Sequence, residues 1–365
     1  MIGNPQYIQI LGKYYTVDDL RILCKEKISN SQTQTWEREI YFFLQDWFSS
    51  SDCITAKTSG STGSPKKISL RKEHMIASAV ATLAFFDLKE DDNAWLCLPV
   101  NYIAGKMMIV RSIVGGLNLL YSEPASLPTI NEKITYAAMV PNQVYELLST
   151  TKGIQQLLKI DKLLIGGSDI SIELEKRLLN IPYINAWHTY GMTETITHIA
   201  LRKLTADNKN TRYYPLPGIN ARKNCDNQLI IDAPDIGVKG LVTNDIINLY
   251  NDGSFLIVGR SDNVVVSGGV KLFPEIIERK IVNYISNNFF VGGVPDDKLG
   301  EKLTLFVESD SVDSYNIDVL KENLKNDLSK FEIPKEIIYL PKFFRTDTGK
   351  IKRKEIIKNY LGEKK

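Results

Sequence analysis

The stretch Lys57-Thr58-Ser59-Gly60-Ser61-Thr62-Gly63-Ser64-Pro65-Lys66 is built from small, hydroxyl-bearing and glycine residues and is closed by a lysine. Few side chains hinder its backbone, so its N–H groups can turn inward on an anion. Ser59, Ser61 and Thr62 add hydroxyl donors, and Lys66 adds a positive charge. These features predict a loop that holds a polyphosphate.

A flexible glycine- and serine-rich turn is the alternative explanation for this stretch. β-branched residues lie on both sides of it, Ile54-Thr55 before and Ile68 after. They predict a loop held between two strands, which favours phosphate binding. The loop is not a Walker A motif, because Ser64-Pro65 separate Gly63 from Lys66 where that motif requires Gly-Lys-Ser/Thr.

The composition is that of a folded globular protein. The chain has 365 residues, of which 43% are hydrophobic and 24% charged, enough for a large core and two domains. Its net charge of +2 is too close to neutral to indicate a nucleic-acid or membrane surface. No apolar run approaches the roughly 18 residues that would span a bilayer.

The cysteines give no sign of a metal site or a disulfide framework. Cys24, Cys53, Cys97 and Cys225 are widely scattered and form no C-x-x-C pair. Reduced thiols are typical of a cytoplasmic protein, and the polar N-terminus lacks the apolar segment of a signal peptide. We therefore expect a cytoplasmic location.

Between the glycine loop and about residue 200, apolar strands alternate with helices. This alternation predicts a parallel sheet whose ligand sites gather at the carboxyl ends of the strands. Gly166-Gly167 follow the predicted strand 162–165, and Tyr190-Gly191 follow the strand that begins near Ile184. Both pairs are therefore expected at the same edge of the sheet.

From Gln228 the pattern changes to short strands, among them 241–243 and 246–250, and the hairpin signal Asn251-Asp252-Gly253 joins two of the strands. The polar link Arg260-Ser261-Asp262 follows, and we place a domain boundary there. The expected fold is a large α/β domain, residues 1–261, with mixed and parallel sheets and a small antiparallel β region. A small, mobile α+β domain, residues 262–365, is expected to follow it.

Six motifs, in order, resemble those of the adenylate-forming enzymes, the superfamily of acyl- and aryl-CoA ligases, peptide-synthetase adenylation domains and luciferases. They are residues 58–66, 190–195, 243–245, 259–262, 268–278 and 348–350. The resemblance covers about residues 54–354. Only 57 residues precede Thr58, where the superfamily has a longer segment, so the chain resembles a compact form with a shortened N-terminal region.

The resemblance implies attack by a carboxylate on the α-phosphate of ATP, with loss of pyrophosphate, followed by transfer of the acyl group to a thiol. It implies ATP, Mg²⁺ and coenzyme A as cofactors, Lys350, Thr193 and Glu194 as catalytic residues, and Glu194 as the metal ligand. The nucleotide-binding residues that it implies are Thr58, Ser59, Gly60, Ser61, Thr62, Gly63, Lys66, Gly166, Gly167, Tyr190, Gly191, Met192, Asp245 and Arg260.

Lys350 is expected to act between two anions, the carboxylate and the α-phosphate, neutralising and orienting both. The resemblance implies two poses of the small domain. In the first pose the domain presents Lys350. It then rotates about the hinge residue Asp262 and presents Gly268, Gly269 and Lys271 for the coenzyme A step.

The acyl substrate is expected to contact Tyr102, Lys106, Arg111, Ser168 and His198. Asn101-Tyr102 replace an aromatic–histidine pair found in many superfamily members, so the role of that histidine does not carry over. Lys106 and Arg111 are unusual in an apolar stretch. They either extend to the surface or pair with a second carboxylate on the substrate, a task that suits arginine. A dicarboxylic aromatic acid fits this pattern.

Three other functions stay open on the sequence. The chain could be a ligase for another aryl or fatty acid, or a stand-alone adenylation enzyme that loads a separate carrier protein. A non-catalytic nucleotide-binding regulator is disfavoured because Glu194, Asp245 and Lys350 are all present. The expected partners are a small carboxylic acid, ATP and coenzyme A, without nucleic acid or a membrane span, and with a homo-oligomer left open.

Overall fold

The computed structural model describes residues 7–57, 67–205, 211–310, 317–325, 327–345 and 351–363. In chain order, helices α1 to α10 are Val17–Ser29, Thr35–Trp47, Lys72–Phe85, Ile103–Gly115, Pro141–Leu148, Thr151–Leu157, Ile172–Leu179, Pro274–Ile281, Ile317–Leu324 and Arg353–Glu363. None of these described helices combines the length and the hydropathy that a membrane crossing needs.

The strands are numbered in the same way. Strands β1 to β10 are Ile8–Ile10, Lys13–Tyr15, Cys53–Lys57, Lys67–Arg71, Asn93–Leu96, Asn118–Tyr121, Ile134–Met139, Ile160–Ile165, Ala186–Gly191 and His198–Lys203. Strands β11 to β20 are Tyr214–Pro215, Asn220–Lys223, Gln228–Ala233, Val238–Leu249, Phe255–Arg260, Val265–Ser267, Val270–Leu272, Phe289–Asp296, Gly300–Glu308 and Glu336–Leu340.

Local sequence signals set where several helices begin. Thr16 and Asp19 form a reciprocal capping box at the start of α1. The Ser171 hydroxyl accepts a hydrogen bond from the Leu174 N–H, at 3.1 Å, at the start of α7. Pro141 and Pro274 occupy the first turns of α5 and α8, where a missing N–H costs nothing.

The largest sheet has nine strands in the order β11-β10-β9-β8-β7-β5-β6-β1-β2. Its central strands, from β9 to β1, run parallel to one another. Both edges are antiparallel, with β2 at one end and β10 and β11 at the other. The predicted parallel sheet is therefore confirmed, and the carboxyl ends of β8 and β9 lie side by side.

Helices cover both faces of this sheet. Along β5 and just beyond it, Ala94 and Leu96 join the core on the side of α3 and α4, while Trp95 and Cys97 join the core on the side of α5 and α7. This alternation follows from the two-residue period of a strand. Burial on both faces explains the nearly continuous apolar sequence of these strands and confirms the predicted α/β class.

The antiparallel region is a four-stranded sheet, β12-β13-β14-β15. The sequence predicted two strands where the structure has the single twelve-residue strand β14. Asn244 and Asp245 favour turns, but here they sit within the strand, and a register shift between Ile246 and Ile247 absorbs the irregularity. Pairing on both sides of β14 outweighs the local turn preference.

The third sheet contains β16 to β20, with β20 parallel to β19 and the other pairs antiparallel. All of its strands lie after Asp262. Gly268 and Gly269 form the two-residue turn between β16 and β17 with φ values of +56° and +81°. Two successive positive φ values are typical of a type I′ hairpin and require glycine here. The division of the chain at residues 261 and 262 stays a prediction.

Candidate active site

The two glycine pairs expected at one sheet edge are brought together there. Gly166-Gly167 follow β8, and Tyr190-Gly191 end the adjacent parallel strand β9. Gly191 has no room for a side chain, since a Cβ would lie 2.2 Å from the Thr197 carbonyl oxygen. The glycine of the Tyr-Gly motif therefore allows the returning chain after residue 195 to pack against the end of β9.

Tyr190 connects this edge to the antiparallel sheet. Its hydroxyl donates a hydrogen bond to Asp245 Oδ2 at 2.5 Å. Asp245 lies directly opposite Arg260 in the pairing of β14 with β15, and Arg260 Nη1 lies 3.3 Å from Asp245 Oδ1. Burial raises the pKa of Asp245, against the hydrogen bond from Tyr190 and the charge of Arg260. Three predicted nucleotide-binding residues therefore form one hydrogen-bonded group.

The segment after β9 is a single 3₁₀ turn, Thr193–Thr195. The Met192 N–H donates to Thr195 Oγ1 at 3.0 Å, and Thr195 is fully buried. Ile196 follows with a φ of +66°, a strained conformation for a β-branched residue. The turn thus fixes the backbone of Thr193 while leaving Glu194 exposed.

Glu194 is a suitable ligand for Mg²⁺, because its carboxylate is a hard oxygen donor exposed at this sheet edge. Among the described residues, no group of three or more histidine, cysteine, aspartate or glutamate side chains is arranged to hold a metal ion. Mg²⁺ is commonly held by one or two carboxylates together with substrate phosphates. The donor set therefore fits a metal that arrives with a nucleotide.

The predicted hinge residue Asp262 is held by charged neighbours. Arg260 Nε donates to Asp262 Oδ1 at 3.0 Å, and Lys354 Nζ lies 3.8 Å from Asp262 Oδ2. Arg260 is thus shared between Asp262 and Asp245. Of the residues expected to serve the coenzyme A step, Gly268, Gly269 and Lys271 are all exposed on the β16–β17 hairpin.

The predicted acyl contacts on and next to α4 lie in different environments. Tyr102 precedes the helix and is exposed. Lys106 packs toward α2, with its Nζ 4.8 Å from the centre of the Phe43 ring. Arg111 instead points into the interior and is only 2% exposed. The structure therefore separates Lys106 from Arg111, and Arg111 is the cation that is withdrawn from solvent.

Arg111 lacks a carboxylate partner within the described residues. Its Nη1 meets the Met108 sulfur at 3.8 Å, and its buried Nε has no hydrogen-bond partner among them. Burial lowers the pKa of Arg111, while Tyr136 acts in the opposite direction. A buried guanidinium without a counterion is energetically costly, and an anion bound beside it would offset that cost.

His198 lies near Arg111 and is also buried. Its Nε2 is 3.1 Å from the Thr82 hydroxyl on α3. Burial lowers the pKa of His198 well below its usual value, and the charge of Arg111 lowers it further. A cavity of about 40 Å³ reaches His198 between α3 and the segment 216–219. Ser168, the last predicted acyl contact, is half-buried beside Gly167.

Two groups of predicted residues lie outside the part of the chain that the structure describes. They are the catalytic residue Lys350 and the phosphate-loop residues Thr58, Ser59, Gly60, Ser61, Thr62, Gly63 and Lys66. The strands next to the phosphate loop are described, and Lys57 on β3 pairs with Lys67 on β4 in an antiparallel ladder. The strands expected on the two sides of the loop are therefore confirmed.

The sequence reasoning missed a second polar group below this edge. It consists of Glu175, His188, Arg202 and Tyr213, all of them buried. His188 precedes Tyr190 by two residues on β9, so the two-residue period of the strand places both side chains on the same face. That spacing is the signal that could have drawn attention to His188.

Replacing Gly191 with alanine is expected to lower kcat/KM by about a hundredfold, because the new methyl group would push the 193–197 segment away from β9. The measurement is the steady-state rate of ATP-dependent pyrophosphate release, together with the thermal unfolding midpoint. Gly362→Ala is the matched control, since a Cβ at Gly362 meets nothing within 4 Å. Equal activity of the two variants would contradict the close approach at Gly191.

Comparisons with known proteins agree with this geometry. The family model described as AMP-binding enzyme matches residues 23–228. The 2-succinylbenzoate–CoA ligase of Listeria monocytogenes is 28% identical over 349 residues, which cover 86% of this chain and 71% of that ligase.

Solved structures give the same result for the fold. An acyl-CoA synthetase (AMP-forming)/AMP-acid ligase II-like protein from Dyadobacter fermentans has a TM-score of 0.62 and 30% identity, with 93% of this chain and 98% of that chain covered. The o-succinylbenzoate CoA synthetase of Bacillus subtilis, solved with its acyl-adenylate intermediate, has a TM-score of 0.71 and 20% identity, with 83% of this chain and 68% of that chain covered.

Proposed function

This chain belongs to the family of AMP-binding enzymes, and from that membership we propose that it is an ATP-dependent ligase that joins o-succinylbenzoate to coenzyme A. It is an AMP-forming acyl-CoA synthetase that uses ATP, Mg²⁺ and coenzyme A. The proposed product, o-succinylbenzoyl-CoA, would place the enzyme in menaquinone biosynthesis.

The reaction has two steps. A substrate carboxylate oxygen attacks the α-phosphorus of ATP, and the bond from that phosphorus to the bridging oxygen of pyrophosphate breaks. The sulfur of coenzyme A then attacks the acyl carbon of the adenylate. The thiol proton is lost, the carbon–oxygen bond to AMP breaks, and AMP leaves.

The nucleotide half of the site is assigned to the residues at the sheet edge. Tyr190 lies against the adenine, with Gly166 and Gly167 on the opposite wall. Asp245, held between Tyr190 and Arg260, accepts hydrogen bonds from the ribose hydroxyls. The phosphate loop 58–66 receives the β- and γ-phosphates, and its lysine is Lys66.

Charge that develops during adenylation is assigned to three groups. Thr193 donates a hydrogen bond to the α-phosphate from its fixed backbone turn. Glu194 would hold Mg²⁺, which supplies positive charge to the phosphates when it is bound. Lys350 lies between the carboxylate and the α-phosphate and stabilises both anions. It is carried by the proposed mobile domain, residues 262–365, with Asp262 as the hinge.

The observation that carries the substrate assignment is Arg111, a buried cation with no carboxylate partner in the described part of the chain. o-Succinylbenzoate has two carboxylates, and only one of them is activated. The other is the anion that Arg111 would bind, with His198 next to it. Lys106 is less suited to this role. Its Nζ lies over the Phe43 ring, and the charges of Asp46 and Glu39 raise its pKa against the effect of burial.

Two alternatives have the same nucleotide chemistry. A ligase for another aryl or fatty acid would leave Arg111 without a counterion, which disfavours a monocarboxylic substrate. An enzyme that loads a carrier protein would form the adenylate but would not pass it to free coenzyme A.

The test follows both half-reactions with purified protein. Pyrophosphate release is measured with o-succinylbenzoate and MgATP, with and without coenzyme A, and thioester formation is followed by mass spectrometry. We expect pyrophosphate release in both cases and thioester only with coenzyme A. Adenylate without any thioester would favour the carrier-loading enzyme, and no pyrophosphate release with any carboxylic acid would favour a nucleotide-binding regulator.

A further inference from the structure

A chain of polar side chains runs beneath the nucleotide site, from α7 to the loop that follows β8. Arg202 on β10 makes two bonds to Glu175 on α7, Nη1 to Oε1 at 2.9 Å and Nη2 to Oε2 at 2.8 Å. Arg202 also lies close to Tyr213, whose pKa its charge lowers against the effect of burial. The Tyr213 hydroxyl lies 2.6 Å from His188 Nδ1, and His188 Nε2 lies 3.1 Å from the Ser168 carbonyl oxygen.

The directions of the two bonds to His188 follow from its partners and from a neutral ring. The Ser168 carbonyl can only accept. His188 must therefore carry its proton on Nε2 in order to donate to Ser168. In the neutral ring Nδ1 is then an acceptor, so the Tyr213 hydroxyl donates to it. The arrangement defines a single neutral tautomer of His188.

These four side chains are shielded from solvent, and sheet pairing fixes the position of His188. His188 is 3% exposed, and Tyr213, Arg202 and Glu175 are also buried. In the sheet, His188 lies opposite Arg202 on one side and beside Ile165, the last residue of β8, on the other. Burial lowers the pKa of His188, in agreement with a neutral ring. With both ring nitrogens engaged by the protein, His188 has no free nitrogen for proton transfer to a substrate.

The Ser168 carbonyl lies at the end of the turn formed by Gly166 and Gly167. Gly166 is held to the neighbouring strand by its N–H, which donates to the Met139 carbonyl at 3.0 Å. Gly167 then turns the chain with a φ of +86°, a conformation that glycine adopts without strain. The bond from His188 secures the far end of this turn, so the 166–168 segment is held at both ends.

We propose that His188 is a positioning residue for nucleotide binding, which holds the 166–168 loop against the purine ring through the Ser168 carbonyl while Tyr213 fixes its tautomer. The proposal rests on the assignment of Gly166 and Gly167 to the adenine wall. It names a role for a buried histidine whose two ring nitrogens are both bonded to protein groups. The ring of Tyr213 also lies between His188 and Tyr190, with centroid distances of 5.7 and 5.9 Å.

The test compares two amides at position 188. Gln can extend an N–H as far as His Nε2, whereas Asn is one carbon shorter and cannot reach the Ser168 carbonyl. The dissociation constant for MgATP is measured by calorimetry for His188→Gln, His188→Asn and Tyr213→Phe. We expect about a tenfold weaker affinity for His188→Asn, because the Ser168 carbonyl loses its donor, and recovery to within about threefold for His188→Gln. Tyr213→Phe should lie between them.

Tripolyphosphate, which has no purine, distinguishes displacement of the 166–168 loop from a general loss of structure that would weaken phosphate binding as well. Its dissociation constant should change less than about twofold in every variant, since the loss is confined to the base. His74→Gln is the matched control, because His74 is a half-buried histidine on α3 outside this chain of polar side chains. Thermal midpoints are recorded for all variants.

Three results would overturn the proposal: equal ATP affinity of the wild type and His188→Asn, no advantage of Gln over Asn, or an equal loss for tripolyphosphate. A wild-type protein that binds tripolyphosphate but not ATP would overturn the adenine site itself. A wild-type protein that binds ATP but forms no adenylate with any acid would instead count against the proposed function and leave the role of His188 standing.

Discussion

Replacing Lys350 with alanine is expected to slow adenylation by about a thousandfold, because the transition state loses the cation that is shared between the attacking carboxylate and the α-phosphate. Conversion of supplied acyl-adenylate and coenzyme A to thioester should stay within about threefold of the wild-type rate, since Lys350 has no role in the second step. Single-turnover measurements of each half-reaction provide the test.

The nearby residue Lys352 provides a matched control for this result. Its side chain is 40% exposed and pairs with Glu355 at 3.1 Å, so Lys352→Ala removes a positive charge from the same segment without removing the assigned catalytic group. We expect both half-reactions of Lys352→Ala to match those of the wild type. Equal losses in the two half-reactions of Lys350→Ala would contradict the two-pose mechanism.

Replacing Arg111 with methionine is expected to raise KM for o-succinylbenzoate by about a hundredfold and to leave KM for ATP within about twofold, because a buried, charge-assisted contact to the distal carboxylate is lost. Methionine keeps much of the side-chain volume. A benzoate that lacks the second carboxylate should lose nothing, since it never used the guanidinium. Measurement of both KM values with each acid gives the result.

The same substitution has a second expected effect, on stability. Arg111 is buried without a carboxylate partner in the described chain, so Arg111→Met removes an uncompensated charge and should raise the free energy of unfolding by about 1–4 kcal/mol. Lys106→Met is the control, with KM changes below about threefold. An unchanged KM for o-succinylbenzoate in Arg111→Met would end the assignment of Arg111 to the substrate.

The placement of the candidate nucleotide-binding residues at the ends of β8 and β9 could be predicted from the sequence. It depends only on which residues directly follow or end each strand. A strand followed by glycine places Gly166 and Tyr190 at the same edge of any parallel sheet, and the structure confirms that placement. The pairing of Asp245 with Arg260 was not predictable in this way. It depends on the register between β14 and β15, and local turn preference even suggested a break at Asp245.

The environments of the two cations of α4 could not be predicted from the sequence pattern. Lys106 and Arg111 are five residues apart and both stand in an apolar run, so either one could have reached solvent. Only the tertiary structure places Lys106 over the Phe43 ring of α2 and leaves Arg111 inside.

In the basic run 350–354 near the C-terminus the charge pattern favours a solvated amphipathic helix, and helix α10 does begin at Arg353, but the side chain of Arg353 itself is mostly buried. Arg353 donates to Glu278 at 2.8 Å, and its side chain is only 24% exposed. Glu278 lies 75 positions earlier, so this partner could not be found from local charge patterns. Long-range ion pairs of this kind require the tertiary structure.

The most direct test of the proposed function is the formation of o-succinylbenzoyl-CoA from o-succinylbenzoate, MgATP and coenzyme A by the purified chain. Mass spectrometry would follow the thioester and AMP, with benzoate and a short fatty acid as competing substrates in the same mixture. We predict that o-succinylbenzoyl-CoA and AMP accumulate in equal amounts and that o-succinylbenzoate is used at least about a hundredfold more efficiently than the monocarboxylic acids. Preferential use of benzoate or the fatty acid would contradict the assignment.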